Sequence, residues 1–306
     1  MKHVLVTGGA GFIGSHLMPQ LLTAGWKVTV LDDLSSGNRA YVPAEAGFIE
    51  QDVRDAAALA RVFAASKFDA VVHFAAQTMV PVSLAKPVYD CELNVVAAVE
   101  LLEQCRAHGV RKVVFASSAA VYGDNQNLPL AETEPTAPMS FYGLSKHTVE
   151  RYLKLYQQLH GLEYAALRFA NVYGERQGDG GEGGVVSIFT RLLRQGRSLQ
   201  LFGDGRQTRD FVYAGDVAAA VTAALASQVP SGTYNVSTGK QTSLLELIEM
   251  LSHISGVKPQ VLLEAPRAGD ILHSALDSSR LQQHSNWRPQ MPLAEGLGRT
   301  YGALAE

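Results

Sequence analysis

The sequence predicts an α/β protein with a doubly wound parallel sheet and a smaller α/β unit packed against the end of that sheet. Three observations predict this fold. Short apolar strands alternate with helical segments up to about residue 170, a glycine-rich turn joins the first strand to the first helix, and the pattern changes after residue 170. Strands that alternate with helices in this way are typical of βαβ units, in which helices cover both faces of the sheet.

Each element follows from hydrophobic periodicity and from the turn residues around it. In the first part, the predicted strands are residues 3–7, 28–31, 46–50, 70–74, 112–116 and 164–169, and the predicted helices are 13–24, 56–63, 88–108 and 142–160. In the second part, we predict a loop at 178–184, helices at 185–194, 244–254 and 278–283, and strands at 198–202 and 259–264. Residues 1–170 with about 208–238 should therefore form one domain, and 171–207 with 239–306 a second.

The composition is that of an ordinary globular protein of 306 residues, with 47% apolar and 18% charged residues. A net charge of −3 without a run of Lys or Arg argues against a nucleic-acid surface. No apolar run approaches the ~18 residues of a membrane span, and Val4-Leu5-Val6 is too short for the core of a signal peptide. Cys91 and Cys105 lie in apolar-periodic stretches, so we expect buried thiols in a reducing compartment and a cytoplasmic location. The Cys and His spacings are not those of a zinc site, and no metal is expected.

A glycine turn at residues 7–14 joins the first predicted strand to the first helix, with the spacing Gly8-xx-Gly11-xx-Gly14. Glycines allow a tight turn and a close approach of backbone amides to a pyrophosphate, which the free N–H groups of the helix N-terminus also bind. Asp32 ends the second strand, 24 residues after Gly8, where a carboxylate can accept hydrogen bonds from both ribose hydroxyls. Because a carboxylate there repels a 2′-phosphate, these residues predict a Rossmann-type domain that binds NAD rather than NADP.

Asp52 and Val53 follow the predicted third strand and allow two interpretations. Asp52 either lies near the adenine amino group of the cofactor or caps the N-terminus of the helix at 56–63. The two roles do not exclude each other.

Tyr142 and Lys146 form a candidate proton-transfer site, because they lie four residues apart on one face of a predicted helix. An ammonium beside a phenol favours the phenolate and lowers the tyrosine pKa from its usual value of ~10. Ser118 follows the fifth strand, and the ligand crevice of a parallel sheet lies at the C-terminal ends of its strands. A hydroxyl, a phenol and an ammonium beside a nicotinamide suit removal of a proton from an alcohol while hydride leaves its carbon.

Through nearly its whole length, the chain resembles the extended short-chain dehydrogenase/reductase family and, within it, the nucleotide-sugar 4-epimerases of the UDP-galactose type. The motifs that carry the resemblance are at residues 7–14, 32–37, 73–76, 117–123, 142–146, 168–174, 203–205, 209–210 and 267–270. The resemblance implies an NAD-dependent isomerase that acts on a UDP-sugar. It also implies that Tyr142 is the base and acid, that Ser118 hydrogen-bonds the sugar oxygen, and that Lys146 binds the nicotinamide ribose and lowers the pKa of Tyr142.

The resemblance further implies which residues hold the two ligands. Those expected at the cofactor are Gly8, Gly11, Phe12, Ile13, Gly14, Asp32, Asp33, Ser35, Ser36, Gly37, Asp52, Val53, Phe74, Ala75, Ala76, Gln77, Asn94, Ser117, Tyr142 and Lys146. Those expected at the substrate are Ser118, Tyr142, Asn171, Val185, Val186, Leu201, Phe202, Arg209, Arg267, Asp270 and Ser274. For the two arginines of this set, a surface salt bridge is the simpler alternative.

Several reactions of this family begin with oxidation at C4 of the sugar, and the residues after Ser118 help to separate them. Related dehydratases and decarboxylases carry an acidic residue there, whereas this chain has Ala119-Ala120. Because methyl groups transfer no proton, the expected reaction is oxidation to a 4-keto sugar, a turn of that sugar, and reduction on its opposite face.

The choice of sugar also follows from the resemblance. Glu182, in the loop at 178–184, would repel a sugar carboxylate, so a neutral hexose is expected. Ser274 falls where a large side chain restricts relatives to small C2 substituents, so UDP-GlcNAc and UDP-GalNAc are expected substrates beside UDP-Glc and UDP-Gal.

The sequence leaves other functions open. They are a UDP-glucuronate 4-epimerase or another nucleotide-sugar oxidoreductase of the family, a one-way oxidoreductase that uses free NAD, and a non-enzymatic NAD-sensing protein. The family implies a homodimer with a four-helix interface built from the helices at 88–108 and 142–160. One-sided packing in a monomer explains their amphipathic pattern equally well.

Overall fold

The computed structural model describes residues 1–178, 184–226, 228–265 and 271–304 and has a seven-stranded parallel sheet at its centre. The helices are α1 (Phe12–Thr23), α2 (Ala56–Ala65), α3 (Val80–Ala85), α4 (Pro87–Cys91), α5 (Ala97–Ala107), α6 (Phe141–His160), α7 (Val185–Arg194), α8 (Ala214–Ala224), α9 (Leu244–Ser255), α10 (Ser279–His284) and α11 (Leu293–Ala303). The strands are β1 (His3–Thr7), β2 (Lys27–Asp32), β3 (Gly47–Glu50), β4 (Ala70–His73), β5 (Lys112–Ser118), β6 (Glu163–Phe169), β7 (Asn171–Tyr173), β8 (Leu199–Phe202), β9 (Thr208–Arg209), β10 (Phe211–Tyr213), β11 (Gly232–Val236), β12 (Thr242–Ser243) and β13 (Val261–Glu264). Short 3₁₀ turns lie at Arg39–Tyr41 and Ala119–Val121, and a π-helical turn, Glu92–Val96, joins α4 to α5.

The strand order of the central sheet is β11-β6-β5-β4-β1-β2-β3, and neighbouring strands are parallel throughout. After β1, the chain adds β2 and β3 on one side of β1. It then crosses back, and β4 begins the part of the sheet on the other side of β1. Thr7, at the end of β1, is level with Leu31 of β2 and His73 of β4. A doubly wound sheet has its ligand crevice at this reversal, outside the C-terminal strand ends. The predicted fold class is confirmed.

Most of the predicted elements are present, with ends displaced by one or two residues. The helix predicted at 88–108 is instead α4, the π-helical turn and α5 in succession. Helices α3, α8 and α11 and strands β7, β9, β10, β11 and β12 have no counterpart among the predicted elements. Strand β11 has only five residues and includes Gly232 and Asn235, types that are depleted in strands, so its own pattern is weak and its pairing with β6 places it in the sheet.

Two hydrophobic clusters cover opposite faces of the central sheet. Helices α1 and α8 pack on one face, and α2, α5 and α6 pack on the other. In β1, Val4 and Val6 point into the first cluster and Leu5 into the second. Successive side chains of a strand alternate between faces, so a strand covered on both sides must be apolar throughout.

A third hydrophobic cluster lies in the second part of the chain, between α7, α9, α11 and strand β8. Phe189, Leu201 and Leu247 are buried at its centre. In contrast, Leu281 and Trp287 pack against the core of the central sheet, although they come from the same part of the chain. The boundaries between the two domains stay a prediction.

Helices α4 to α6 carry apolar side chains that remain exposed. They include Val88, Val96, Leu144, Leu155 and Leu159. Cys105 of α5 is buried, as expected, whereas Cys91 is exposed, so the predicted burial is wrong for Cys91. The inward-facing positions of that segment are instead the polar Asp90 and Asn94. Within the described ranges, no helix combines the length and apolar character needed to cross a membrane.

Candidate active site

A cleft opens at the C-terminal ends of β1, β2, β4 and β5. Turns after these strands and the first turns of α1 and α6 form its walls. The lining residues are Gly8, Gly11, Phe12, Ile13, Gly14, Leu31, Asp32, Asp33, Ser35, Ser36, Gln51, Val53, Phe74, Ala75, Ala76, Thr78, Leu93, Ala116, Ser117, Ser118, Tyr142, Lys146, Phe169, Ala170, Val172, Gln177 and Gly178. The structure therefore brings the three predicted catalytic residues together with most of the predicted cofactor residues.

The glycine turn needs its glycines for two separate reasons. Gly8 has φ +68°, and a Cβ there would lie 2.5 Å from the backbone N of Ala75. A Cβ on Gly14 would collide with the carbonyl oxygen of Gly9, so glycine lets α1 begin close against the turn. Phe12, Ile13 and Gly14 then line the cleft in the first turn of α1, where backbone N–H groups lack intrahelical acceptors.

Asp32 ties the end of β2 to the glycine turn. Its Oδ2 accepts a hydrogen bond from the N–H of Ala10 at 2.9 Å, and its Oδ1 accepts one from the N–H of Leu34 at 2.9 Å. Burial raises the pKa of Asp32, and these two N–H groups act against the rise. A carboxylate has about four acceptor positions, so Asp32 retains capacity for ribose hydroxyls.

Asp52 does not cap α2, and its predicted position near the adenine amino group stays a prediction. Its carboxylate pairs with Arg54, whose Nε lies 3.0 Å from both oxygens, and it is not in the cleft wall. The side chain that caps α2 belongs to Asp55, which accepts a hydrogen bond from the N–H of Ala58 at 2.9 Å. The predicted capping role of Asp52 is wrong, because Asp55 lies directly before the first helical residue. Val53, the neighbour of Asp52, does line the cleft.

Ser118 and Tyr142 are brought together by the packing of α6 on the turn after β5. The Ser118 Oγ accepts a hydrogen bond from the N–H of Ala120 at 3.1 Å, and Ser140 caps α6 by accepting one from the N–H of Gly143 at 3.1 Å. A Cβ on Gly143 would lie 2.6 Å from the carbonyl oxygen of Ala120. Glycine at this position therefore allows the start of α6, with Tyr142, to reach the end of β5.

The pKa of Tyr142 differs from the expectation based on its spacing to Lys146. Burial raises the pKa of the phenol, the Ser118 hydroxyl acts in the opposite direction, and the charge of Asp90 raises it further. Burial also lowers the pKa of Lys146 to about 8, while Asp90 opposes that change. The net shift of the Tyr142 pKa is therefore upward, opposite to the predicted net shift, and the contribution of Lys146 itself stays a prediction. The largest cause of the upward shift is desolvation of the phenol, and the Lys146 Nζ lies 5.8 Å from the ring centroid.

Lys146 is only 3% exposed, and its ammonium lies between aromatic rings at the cleft wall. The Nζ is 4.9 Å from the ring centroid of Phe115, where a cation is attracted to the π face. The neighbouring His73 is also buried, and burial together with the charge of Lys146 lowers its pKa to about 3. His73 is therefore neutral, and its Nδ1 is hydrogen-bonded to the Thr7 hydroxyl at 2.7 Å.

Three predicted cofactor residues lie behind the cleft wall rather than in it. Gly37 packs against Asp32, where a Cβ would lie 2.8 Å from Oδ1. Gln77 and Asn94 are buried and joined by two hydrogen bonds, from Gln77 N to Asn94 Oδ1 at 2.8 Å and from Asn94 Nδ2 to Gln77 O at 2.9 Å. Gln77 and Asn94 support the segment that carries Phe74 and Ala75, and these two residues do line the cleft.

The predicted substrate residues lie mostly in the second part of the chain. Arg209 Nη1 donates to the carbonyl oxygens of Thr208, at 2.8 Å, and Leu272, at 3.3 Å, and the N–H of Ser274 donates to the same Thr208 oxygen at 3.2 Å. This places Arg209 and Ser274 on adjacent segments. Asn171 begins β7, and its N–H donates to the Asp210 carbonyl at 2.9 Å.

The side chains of Val186 and Leu201 are buried in the third hydrophobic cluster, so only their backbone is left for the predicted substrate contacts. The reason is that the inward face of α7 and of β8 forms this core. Val185 and Phe202 are half-buried. Arg267, Asp270 and Glu182 lie outside the described residues.

The cleft also contains residues that the sequence did not single out. They include Gln51, Thr78, Leu93, Phe169, Val172 and Gln177. Several are neighbours of predicted site residues, and Phe169 and Val172 lie in the motif at 168–174, so proximity in sequence could have found them. Gln177 follows a turn in the second part of the chain, and no pattern in the neighbouring residues predicts its position in the cleft.

The residues along the whole length of the cleft fit a bound NAD molecule. Asp32 at one end offers acceptors for a ribose, and the side-chain-free glycine turn and the start of α1 suit a pyrophosphate. Tyr142 and Lys146 at the other end provide a phenol and an ammonium for the reactive half of the cofactor. The Cβ collisions at Gly8 and Gly14 show that this cradle depends on its glycines.

The sequence and the structure were each compared with known proteins, and both comparisons lead to the same family. Residues 4–237 match the model of the NAD dependent epimerase/dehydratase family. A UDP-glucose 4-epimerase of Mycolicibacterium smegmatis is 40% identical to this chain, over 97% of this chain and 96% of that protein. The structure of UDP-glucose 4-epimerase from Thermotoga maritima with UDP-glucose has a TM-score of 0.96 and 38% identity, covering 99% of this chain and 98% of that one.

A third similar protein is the UDP-N-acetylglucosamine 4-epimerase of Methanobrevibacter ruminantium in complex with UDP-N-acetylmuramic acid. Its TM-score is 0.94 at 36% identity, with coverage of 99% of this chain and 98% of that one. The family match includes the glycine turn, Asp32, Ser118, Tyr142 and Lys146, which the fold gathers in one cleft. This chain belongs to the NAD-dependent epimerase/dehydratase family.

Proposed function

We propose that this protein is an NAD-dependent 4-epimerase of UDP-hexoses that interconverts UDP-glucose and UDP-galactose. The observation that carries the proposal is the position of Tyr142 beside Ser118 and Lys146, in the same cleft as the glycine turn and Asp32. The similarity of almost the whole chain to UDP-glucose 4-epimerases of M. smegmatis and T. maritima supports it. Bound NAD supplies the acceptor and then the donor of the hydride at C4 of the sugar.

Tyr142 takes the proton of the C4 hydroxyl and later returns it. The Ser118 hydroxyl donates a hydrogen bond to the same sugar oxygen and orients it toward the phenol. Because burial raises the pKa of Tyr142, the phenolate needs a neighbouring positive charge. Lys146 provides it, and its ammonium also binds hydroxyl groups of the nicotinamide ribose.

The residues after Ser118 favour epimerisation over the other reactions of the family. Ala119 and Ala120 form the 3₁₀ turn that follows β5, and their methyl groups transfer no proton. A 4-keto sugar formed here is therefore neither dehydrated nor decarboxylated by these residues. It turns about its bond to the diphosphate and is reduced on the opposite face, and Tyr142 protonates the new alkoxide.

We infer that UDP-GlcNAc and UDP-GalNAc are also substrates. Ser274 lies on the segment next to Arg209. By the family resemblance, its small side chain stands where a large one restricts relatives to small C2 substituents. The similarity to the M. ruminantium UDP-N-acetylglucosamine 4-epimerase supports this inference. Replacement of Ser274 by tyrosine should abolish turnover of UDP-GlcNAc and leave that of UDP-glucose. Undetectable turnover of UDP-GlcNAc by the unmodified protein would exclude it as a substrate.

The main test is incubation of the purified protein separately with UDP-glucose, UDP-GlcNAc and UDP-glucuronate, with product stereochemistry read by NMR. We expect UDP-galactose from UDP-glucose without a lasting increase in reduced nicotinamide absorbance. A lasting increase that scales with added NAD would show a one-way oxidoreductase instead. Turnover of UDP-glucuronate alone would show the acidic-sugar epimerase, and NAD binding without any turnover would show an NAD-sensing protein.

We also propose that the protein is a homodimer. The exposed apolar side chains of α4 to α6, including Val88, Leu144, Leu155 and Leu159, lie on the two helical segments for which the family implies a four-helix interface. Leu155→Asp should convert the dimer to a monomer in sedimentation velocity, because a charge is unfavourable in an apolar interface. Leu245→Asp, on the exposed face of α9, is the matched control. A monomeric parent protein would contradict the proposal.

A further inference from the structure

Asp90 is a buried carboxylate that the proposed reaction does not use. It lies on α4, is 1% exposed, and accepts hydrogen bonds at Oδ1 from Gln77 Nε2 at 2.8 Å and Asn94 Nδ2 at 3.2 Å. The N–H of Met79 donates to Gln77 Oε1, which fixes the amide so that its Nε2 points to Asp90. A buried charge needs polar partners of this kind, since an isolated carboxylate is strongly destabilised away from water.

The hydrogen bonds continue from Asp90 to the catalytic turn of α6. Asn94 Nδ2 lies 3.2 Å from Ser145 Oγ, and that hydroxyl donates to the carbonyl oxygen of Tyr142 at 2.9 Å. Asp90 and Asn94 are four positions apart, and Asn94 is within the π-helical turn Glu92–Val96. Such wide turns occur often at functional sites, because they redirect side chains that a regular helix would place elsewhere.

The negative charge of Asp90 also raises the pKa of both Tyr142 and Lys146. Of the other groups near Lys146, His73 is neutral, and the negative charge of Glu150, one turn further along α6, is compensated by its ion pair with Arg168. On the elements that pack against α6, Tyr89, Cys91 and Glu92 flank Asp90 but are exposed.

We propose that Asp90 is a positioning residue that balances the buried charge of Lys146 and, through Asn94 and Ser145, fixes the turn of α6 that carries Tyr142. This inference rests on the proposed function. Asp90 and the phenolate of Tyr142 are both negative, and the ammonium of Lys146 is the positive charge with which both interact. The negative charge of Asp90 favours the ammonium of Lys146 and, at the same time, disfavours the phenolate of Tyr142. Loss of that charge should therefore lower the pH at which each group loses its proton.

The first test is the pH profile of kcat for epimerisation of UDP-glucose by Asp90→Asn, which removes the charge and keeps the shape. The alkaline limb should move to lower pH by roughly one unit, so that kcat falls about tenfold near pH 8.5 and less than about twofold near pH 6. Glu249→Gln, which removes an exposed carboxylate from α9, should leave the profile unchanged. Superimposable profiles, or a loss that is equal at every pH, would overturn the inference, because a purely structural role changes activity without moving the limb.

The second test does not depend on catalysis. The ultraviolet absorbance of tyrosinate is titrated in the protein and in its Tyr142→Phe variant, with and without Asp90→Asn, and the difference isolates Tyr142. We expect the midpoint to fall when Asp90 is replaced, and an unchanged midpoint would overturn the inference even if UDP-hexoses prove not to be substrates. If Asp90→Asn does not fold, Asp90→Ser is used in both tests, because it removes the charge and leaves space for a water molecule.

Discussion

Glu150 and Arg168 form a two-point ion pair inside the protein, with Nε to Oε1 at 2.9 Å and Nη2 to Oε2 at 2.7 Å. Their side chains are only 4% and 6% exposed. The same carboxylate accepts a hydrogen bond from Ser117 Oγ at 2.6 Å, and the Arg168 guanidinium lies 4.6 Å from the ring centroid of Tyr122. The pair therefore holds the end of β5, and with it Ser118, against β6 and α6.

Glu150→Ala should lower the free energy of unfolding by about 3–5 kcal/mol, because it leaves the Arg168 cation buried without its partner. Urea denaturation followed by circular dichroism measures this change. Glu295→Ala breaks the exposed ion pair with Arg299 on α11 and is the matched control, with no change expected in the unfolding midpoint. Equal effects of the two substitutions would contradict the structural argument.

Gly8→Ala should destabilise the protein and reduce its NAD content. Gly25 is a useful control, because it has a similar φ of +79° but open space around the position of a Cβ. Gly25→Ala should cost about 1–2 kcal/mol for the left-handed backbone alone. Gly8→Ala adds a collision with the backbone of Ala75 and should cost about 1–3 kcal/mol more. NAD released by acid precipitation should be normal for Gly25→Ala and strongly reduced for Gly8→Ala.

Tyr142→Phe should lower kcat for UDP-glucose by roughly 10²- to 10⁴-fold, since it removes the group that we propose transfers the proton. The bound NAD should stay at the level of the parent protein, because the ring and the glycine turn are retained. Tyr301→Phe, on α11, removes a hydroxyl away from the cleft and should leave kcat unchanged. Full activity of Tyr142→Phe would assign the proton transfer to another residue.

Lys112 should make stability depend on pH in the alkaline range. Its buried Nζ donates to the carbonyl oxygens of Val229 at 2.7 Å and Ala226 at 3.0 Å, and burial lowers its pKa to about 8. In the unfolded chain a lysine titrates near ~10.4, so between about pH 8 and pH 10 the unfolded state binds more protons than the folded state. Stability relative to Lys112→Met should therefore rise across this window.

The rise should be on the order of 2 kcal/mol between about pH 7 and about pH 10, measured by urea denaturation of both proteins at each pH. Lys154→Met, at an exposed position of α6, is measured in the same way and provides the comparison. The quantity compared is the free energy of unfolding of the parent protein minus that of Lys112→Met. If this difference stays constant or falls with pH, the ammonium of Lys112 is not desolvated.

Local patterns predicted most of the sheet and most of the cofactor cleft. The apolar strands, the glycine turn, Asp32 and Ser118 are each readable from a few neighbouring residues, and the structure places them at one edge of the sheet. Strand β11 and the π-helical turn were not predicted, because β11 is specified by pairing with β6, and a π turn differs from an α-helix by a single residue in its hydrogen bonds.

By itself, the sequence determined which side chains are the candidates for proton transfer, because Tyr142 and Lys146 are one helical turn apart wherever that helix lies. Only the tertiary structure decided the charges around them. The packing of α4 and α6 on the sheet buries both groups, raises the pKa of the phenol, lowers that of the ammonium, and brings Asp90 near them from a different element. Desolvation and Coulomb interaction depend on neighbours in space, and these neighbours come from segments that are distant along the chain.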